Sequence, residues 1–213
     1  YDFIADVANK GDEGRIYLLE GYLYPDTYEI YVGSSEETVI GKMLDRMNVI
    51  YGAGYTSRAE ELNMSMDQVI TLASIIEKEG KHDTFDKVSA VFHNRLDQKM
   101  ALGSDVTVQY ALGVKRLVLT QSELGVDSPY NTYTHTGLPV GAICSPGDAA
   151  IEAALYPDSD YVDEGYLYFT LTDPETGELA FSKTLEEHNA LVEQYRPLWQ
   201  AYDQKIQQAA ANP

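Results

Sequence analysis

The stretch TLASIIEKEG, Thr71–Gly80, reads as the second half of a helix that is apolar on nearly every side. At about 100° per residue, one stripe of this helix is formed by Val69, Leu72, Ala73 and Ile76, and Ile70 and Ile75 widen it. Only a narrow sector is polar. A helix of this kind buries most of its surface in the protein core, so the segment predicts a largely buried helix.

Two carboxylates, Glu77 and Glu79, close this helix, and both fall over apolar arcs on different sides of it. The C-terminus of a helix carries the negative end of the dipole, and a desolvated acid there should have a raised pKa. A carboxyl that stays protonated near neutral pH suits general-acid catalysis. Gly80 has no side chain and is expected to leave room beside Glu79 for a bulky substrate. The alternative is that Glu77 pairs with a cation and Glu79 is simply hydrated.

The capping-box pair Ser65 and Gln68 predicts the start of this helix. Apolar periodicity and capping signals predict further helices within residues 35–55, 83–100, 148–157 and 184–208, the last interrupted or kinked near Pro197. Residues 104–113 are expected to start as a strand or loop and to turn helical. Residues 15–33 are expected to form extended pieces around a loop. Residues 166–182 have the pattern of a β-hairpin. This order of elements predicts an α+β fold, helix-dominated, with a small antiparallel sheet.

A segment of 24 residues, Leu124–Gly147, lacks apolar periodicity and is rich in Gly, Pro, Thr and Tyr. A loop of that length inside a compact domain is usually functional. If its part from Ser128 to Gly147 forms one wall of a substrate groove, Asn131→Ala and Tyr133→Ala should weaken activity and leave the melting temperature within a few degrees.

Composition excludes several function classes. The chain has 34 acidic and 15 basic residues, a net charge of −19, which argues against a nucleic-acid partner because phosphate contacts need clustered Lys and Arg. Cys144 is the one cysteine, so an intramolecular disulfide and a cysteine-rich zinc site are excluded. The four histidines are scattered. No run of 18 apolar residues occurs in the sequence, so nothing in it predicts a membrane span.

The 17 tyrosines suit stacking on sugar faces or simply fill a half-hydrated surface.

Several motifs in order make the chain resemble the endolytic murein transglycosylases, the YceG-like family of bacterial cell-wall enzymes. They are EGYLYPDTYEI, ASIIEKEG, VFHNRL, SDVTVQYALG, SPYNTYTHTGLPVGAICSPG, AAL with YLYF, and FSKTLEEHN, and they run from Glu20 to Asn189. Each is weak alone. The long YNTY block together with EKE makes a chance match very improbable.

The resemblance implies a lytic transglycosylase that cuts the β-1,4 bond between N-acetylmuramic acid and N-acetylglucosamine in peptidoglycan and leaves 1,6-anhydro-muramyl ends. The second acid of EKE is the catalytic one in the family, which maps to Glu79. Family members usually have Thr where this chain has Gly80. They also carry an N-terminal membrane helix and a LysM-like module, so residues 1–213 are expected to be a single catalytic domain of a longer, membrane-anchored, extracytoplasmic protein.

Candidate substrate-binding residues lie in the same motifs. They are Asn131, Tyr133, Tyr130, Asp105, Gln109, Asn94 and Glu77. Asn131 can donate to and accept from an N-acetyl group. Tyr130 and Tyr133 are suited to stack on sugars or to orient Glu79, or else they pack the loop. Asp105 is a candidate second carboxylate or an N-cap, and Asn94 and Gln109 are alternatively local caps.

Three readings stay open from sequence. The first is the lytic transglycosylase with Glu79 as general acid and base. The second is a muramidase, a hydrolase with Asp105 or Glu77 as the partner of Glu79. The third is a non-catalytic glycan-binding or scaffold module. Peptidoglycan glycan strands are the expected substrate, and penicillin-binding proteins and other cell-wall synthesis proteins are candidate partners. No metal, nucleotide or redox cofactor is expected.

Overall fold

A computed structural model describes residues 1, 3, 7, 14–52 and 54–211. Within them the helices are α1 (Glu36–Tyr51), α2 (Tyr55–Glu61), α3 (Met66–Glu79), α4 (Phe85–Asp97), α5 (Asp105–Leu112), α6 (Gln121–Leu124), α7 (Asp148–Leu155), α8 (Ser159–Asp163) and α9 (Leu185–Ala211). Two strands, β1 (Tyr168–Asp173) and β2 (Glu178–Ser182), form an antiparallel pair. The predicted helix-dominated α+β class is confirmed.

Helix α3 is the central element, and all its residues from Val69 to Ile76 are buried. The predicted capping box is present: the Ser65 hydroxyl accepts from the Gln68 N–H, and the Gln68 side chain accepts from the Ser65 N–H. Helices α2, α4, α5 and α7 pack around α3. Because these four surround it, apolar residues are needed on most of its faces, as the sequence predicted.

The hairpin and α9 form the C-terminal part of the fold. Tyr168 pairs with Ser182 and Phe169 with Phe181, with an irregularity between Leu171 and Asp173. Helix α9 packs on both strands, and its Trp199 indole N–H donates to the Leu171 carbonyl at 2.9 Å.

Helix α9 is not interrupted at Pro197, so the alternative of an interruption there is wrong. Proline removes one backbone hydrogen bond from a helix interior. Contacts on both sides of Pro197, through Trp199 to β1 and through His188 to Thr170 at 2.9 Å, hold the helix on the hairpin despite that loss.

Residues 14–34 pass over α3 as turns and irregular chain rather than strands. Two side chains of this segment bind Asp67 at the start of α3: Arg15 at 2.5 Å and Tyr22 at 2.6 Å. Gly21, with φ of +92°, lies so close to α3 that a Cβ would be 2.8 Å from a methyl of Ile70 and 2.6 Å from Cβ of Ala142. These long-range contacts fix the segment without any sheet.

None of the helices in the described part of the chain combines the length and the apolar character needed to cross a bilayer.

Candidate active site

Glu79 is the last residue of α3 and is only partly exposed. Its Oε1 accepts a hydrogen bond of 2.5 Å from the Ser104 hydroxyl. Burial, aided by the charge of Asp105, raises the pKa of Glu79 to about 7, although the Ser104 hydrogen bond and the Arg95 charge act in the opposite direction. Near neutral pH this carboxyl is therefore poised between its acid and base forms, the condition for a group that both gives and takes a proton.

The segment that carries Ser104 is clamped to the long loop through Thr132. The Ser104 N–H donates to the Thr132 hydroxyl at 3.0 Å, and the Gly103 N–H donates to the Thr132 carbonyl at 3.0 Å. Thr107 hydrogen-bonds both to the Ser104 carbonyl and to the Thr132 hydroxyl. The loop and the start of α5 therefore position Ser104 against Glu79 together.

Asp105 is the first residue of α5 and a second acid beside Glu79. It is not an N-cap, since Ser104 occupies that position. The Tyr133 hydroxyl donates to Asp105 Oδ1 at 2.5 Å. Burial raises the pKa of Asp105, and the Tyr133 hydrogen bond partly offsets that rise. Gln109 lies one helical turn further along the same face of α5.

Arg95 of α4 supplies the positive charge of the site. Its guanidinium donates to the backbone carbonyls of Leu167, at 2.6 Å, and Leu102, and stacks 5.1 Å from the ring centre of Tyr168. Burial lowers the pKa of Arg95. Its charge in turn favours the ionised form of Glu79. The site thus combines one cation, two carboxyls and a tyrosine hydroxyl.

Three other residues predicted to bind substrate, Asn131, Tyr130 and Asn94, make buried contacts within the fold. Asn131 is fully buried; its amide donates to the Leu124 and Val126 carbonyls at 2.9 and 2.8 Å, and its oxygen accepts from the Tyr133 N–H at 2.9 Å. Tyr130 is 1% exposed and lies 4.9 Å from the Tyr110 ring, which leaves it no open face for stacking on a sugar.

Asn94 is buried on α4, and its amide donates to the carbonyls of Tyr161 and Tyr166. These contacts join α4 to the segment around α8. The arrangements of Asn94, Asn131 and Tyr130 favour a framework role for all three, and a direct role in substrate binding stays a prediction.

The other acid of the EKE motif, Glu77, points to a different part of the fold. Its Oε2 accepts from the Gly147 N–H at 3.2 Å, where α7 begins, and a carboxylate at a helix N-terminus is stabilised by the dipole. The expected space beside Gly80 is absent: a Cβ there would meet the Phe85 ring at 2.9 Å. Phe85 of α4, not a substrate, fills that position, so this prediction was wrong.

Sequence reasoning missed Ser104 and Arg95, although both lie in quoted motifs. A serine before an acid at a helix start is typical of an ordinary N-cap, and an arginine late in an amphipathic helix is typical of a solvated charge. The Ser104 hydrogen bond to Glu79 and the effect of the Arg95 charge on the Glu79 pKa arise only when the chain folds.

The sequence model of the YceG-like family matches residues 3–194. The chain belongs to the YceG-like family. It is 41% identical to a protein of Bacillus subtilis (strain 168) named endolytic murein transglycosylase, over 89% of this chain and 51% of that protein. A Streptococcus pneumoniae serotype 2 protein of the same name is 33% identical over 86% of this chain and 33% of that protein. The chain thus spans about half the length of the Bacillus protein and about a third of the length of the Streptococcus protein.

Among solved structures, a crystal structure of a YceG-like protein from Listeria monocytogenes superposes with a TM-score of 0.77 at 40% identity. The match covers 89% of this chain and 64% of the Listeria chain. The fold described above is therefore the fold of that part of the Listeria protein.

Proposed function

We propose that this chain is the catalytic domain of a peptidoglycan lytic transglycosylase and that Glu79 is its single general acid and base. The observation that carries the proposal is the partly buried Glu79 carboxyl, held by Ser104, with a pKa of about 7. The names of the two relatives support the same activity and substrate class.

In the proposed reaction, neutral Glu79 donates its proton to the glycosidic oxygen between N-acetylmuramic acid and N-acetylglucosamine. The bond from that oxygen to the muramyl anomeric carbon breaks, and the N-acetylglucosamine chain leaves as an alcohol. The muramyl C6 hydroxyl attacks the anomeric carbon and gives its proton to the Glu79 carboxylate. A 1,6-anhydro ring forms and Glu79 is again neutral. The substrate supplies its own nucleophile, so the step needs no second carboxylate, water or cofactor.

A muramidase is the second candidate, because Asp105 lies close enough to Glu79 to raise its pKa. A glycosidase uses a second carboxylate as nucleophile or to activate water, and Asp105 could take either role. Tyr133 donates to one oxygen of Asp105 and leaves the other without that bond. A glycan-binding module without catalysis is the third possibility, and it predicts binding without any cut.

Digestion of purified glycan strands in ¹⁸O-labelled water separates these functions. Wild-type protein should release fragments with unlabelled anhydro-muramyl ends. One ¹⁸O per cut would mean a hydrolase and would contradict the transglycosylase. No fragments at all, with the strands still bound, would mean a binding module.

Two glutamine variants test the residue assignment in the same digest. Glu79→Gln should bind but cut about 10²–10⁴-fold more slowly, the range that general acid–base catalysis contributes. Glu77→Gln is the matched control from the same helical turn and should keep most of the activity. The reverse pattern would transfer the role to Glu77.

We further propose that the domain acts outside the cytoplasm as part of a longer, membrane-anchored protein, beside penicillin-binding proteins. Two observations support this proposal: the names of the relatives refer to murein, a cell-wall substrate, and the relatives are longer than this chain. Fractionation of cells that express the full-length protein tests the location, and recovery in the soluble cytoplasmic fraction would contradict it. Crosslinking in the same cells tests the partner, and crosslinks that include no penicillin-binding protein would contradict it.

A further inference from the structure

Ser104 is the N-cap residue of α5, but its side chain does not cap the helix. An N-cap serine ordinarily accepts a hydrogen bond from the backbone N–H two or three residues later. Among the described residues, no such bond to the Ser104 hydroxyl exists, and the Thr107 N–H bonds the Ser104 backbone carbonyl instead. The hydroxyl donates to Glu79 Oε1. The local rule for a helix start is thus broken at a functional site.

The contrast with other caps in the chain is direct. The Ser35 hydroxyl accepts from the Thr38 N–H at the start of α1, and the Ser65 hydroxyl accepts from the Gln68 N–H at the start of α3. Ser104 is 2% exposed and fixed through its backbone by Thr132 and Thr107. Its hydroxyl is therefore held on Glu79 by buried contacts rather than by chance on a mobile surface.

We propose that Ser104 is a positioning residue that fixes which oxygen of Glu79 carries the acid proton. A neutral carboxyl has one carbonyl oxygen, which accepts, and one hydroxyl oxygen, which donates. Since Ser104 donates to Oε1, Oε1 is the carbonyl oxygen and the proton lies on Oε2. The proton leaves from Oε2 and, after the C6 hydroxyl attacks, returns to it. The catalytic reading rests on the proposed function, whereas the hydrogen bond itself can be tested without turnover.

The charged and titratable groups around Glu79 come from three elements. Arg95 of α4 favours the ionised carboxylate, and Asp105 of α5 opposes it. Tyr133 of the long loop acts through its hydrogen bond to Asp105. Ser104 stabilises the carboxylate through a hydrogen bond and adds no charge, so its removal should shift the Glu79 titration upward without changing the charges around it.

The first test is the titration of ¹³C-labelled glutamate carboxyls by NMR, with the Glu79 signal assigned from Glu79→Gln. Ser104→Ala should raise the pKa of Glu79, and Ser104→Thr, which keeps the hydroxyl, should restore the wild-type value. Ser35→Ala is the matched control: it removes a serine that does cap its helix, so it should lower the melting temperature and leave Glu79 unchanged. An identical Glu79 titration in Ser104→Ala would overturn the proposal.

The second test is kinetic. Ser104→Ala should lower kcat about tenfold, a modest share of what acid–base catalysis supplies, leave KM unchanged and move the alkaline limb of the pH profile upward. Wild-type kcat with an unmoved pH profile, or a kcat loss that Ser104→Thr does not rescue, would overturn the proposal. Full activity of Glu79→Gln would instead contradict the proposed function. This outcome can be told apart from a failure of the Ser104 proposal, because the NMR titration of Glu79 needs no substrate.

Discussion

At the scale of single residues, the proposed chemistry depends on the protonation of Glu79. Because its pKa is raised to about 7, the acid form that donates to the leaving oxygen is lost as the pH rises through that value. We expect kcat/KM for glycan cleavage to fall about tenfold per pH unit above this point. A pH series of initial rates on purified strands measures it. A profile that stays flat up to pH 9 would contradict Glu79 as the acid.

The same pKa has a consequence for stability. The pKa of Glu79 is about 7 in the folded chain against an ordinary 4.5, so the folded state binds more protons between these values and loses stability as the pH rises through them. The ionised form costs about 3 kcal/mol relative to the neutral one. Glu79→Gln should therefore stabilise the protein at pH 8 and change little at pH 4.5. Urea unfolding of both proteins at both pH values tests this, and an equal effect at both would contradict it.

Asn131 and Tyr133, neighbours in the loop, should differ in what their substitutions change. Asn131→Ala removes three hydrogen bonds inside the loop and should destabilise by about 2–3 kcal/mol, a fall in melting temperature of roughly 5–10 °C. Tyr133→Phe removes only the bond to Asp105 and should leave the melting temperature within a few degrees while changing the pH profile. Calorimetry and rates on both variants separate the roles.

From sequence, truncation of Asn131 was expected to leave the melting temperature almost unchanged. Its three side-chain hydrogen bonds in the structure lead to a different expectation, a clear loss of stability. The carbonyls that it binds are those of Leu124 and Val126, at the start of the loop, and nothing in the residue order shows that the loop folds back onto them. Glu79 could be identified because a helix wheel and a motif both apply to it. Ser104 could not, because its partner lies 25 positions away.

At the scale of secondary-structure elements, capping motifs and apolar periodicity correctly predicted several helices and the hairpin, which are stabilised by interactions between residues close in sequence. The capping box of α3, the helical periodicity of α4 and the hairpin are all present. Residues 15–33 were expected to be extended pieces and are irregular instead, because the contacts of Arg15 and Tyr22 with Asp67 join parts of the chain that are distant in sequence. Periodicity carries no information about such contacts.

Gly21 allows this segment to approach α3. Alanine there would combine an unfavourable φ of +92° with close contacts to Ala142 and Ile70. We expect Gly21→Ala to destabilise by about 3 kcal/mol, from strain and overpacking. Gly33→Ala is the matched control, since Gly33 has a similar φ of +88° and a Cβ there would meet no atom of the described residues within 4 Å. This substitution should destabilise only through backbone strain, by about 1–2 kcal/mol. Equal losses in urea unfolding would mean that the close approach is unimportant.

At the scale of the whole molecule, the net charge of −19 makes the folded chain repel itself. Five of the six ion pairs found among the described residues have both partners partly or largely exposed, and Arg15–Asp67 is the buried one. Exposed pairs contribute little, so repulsion should dominate. Raising NaCl from 10 to 150 mM should increase the melting temperature by a few degrees. KCl at equal ionic strength is the control, and a fall with salt would mean that attractive pairs dominate.

The burial of α3 on all sides determines how long the site keeps its shape. The amide protons from Val69 to Ile76 belong to a helix enclosed by four others, so their exchange with deuterium should require opening of the whole molecule rather than fraying at one end. Glu79 ends that same helix. The backbone from which its carboxyl projects is therefore anchored to the part of the fold that opens last, and the Ser104 hydrogen bond holds the carboxyl itself.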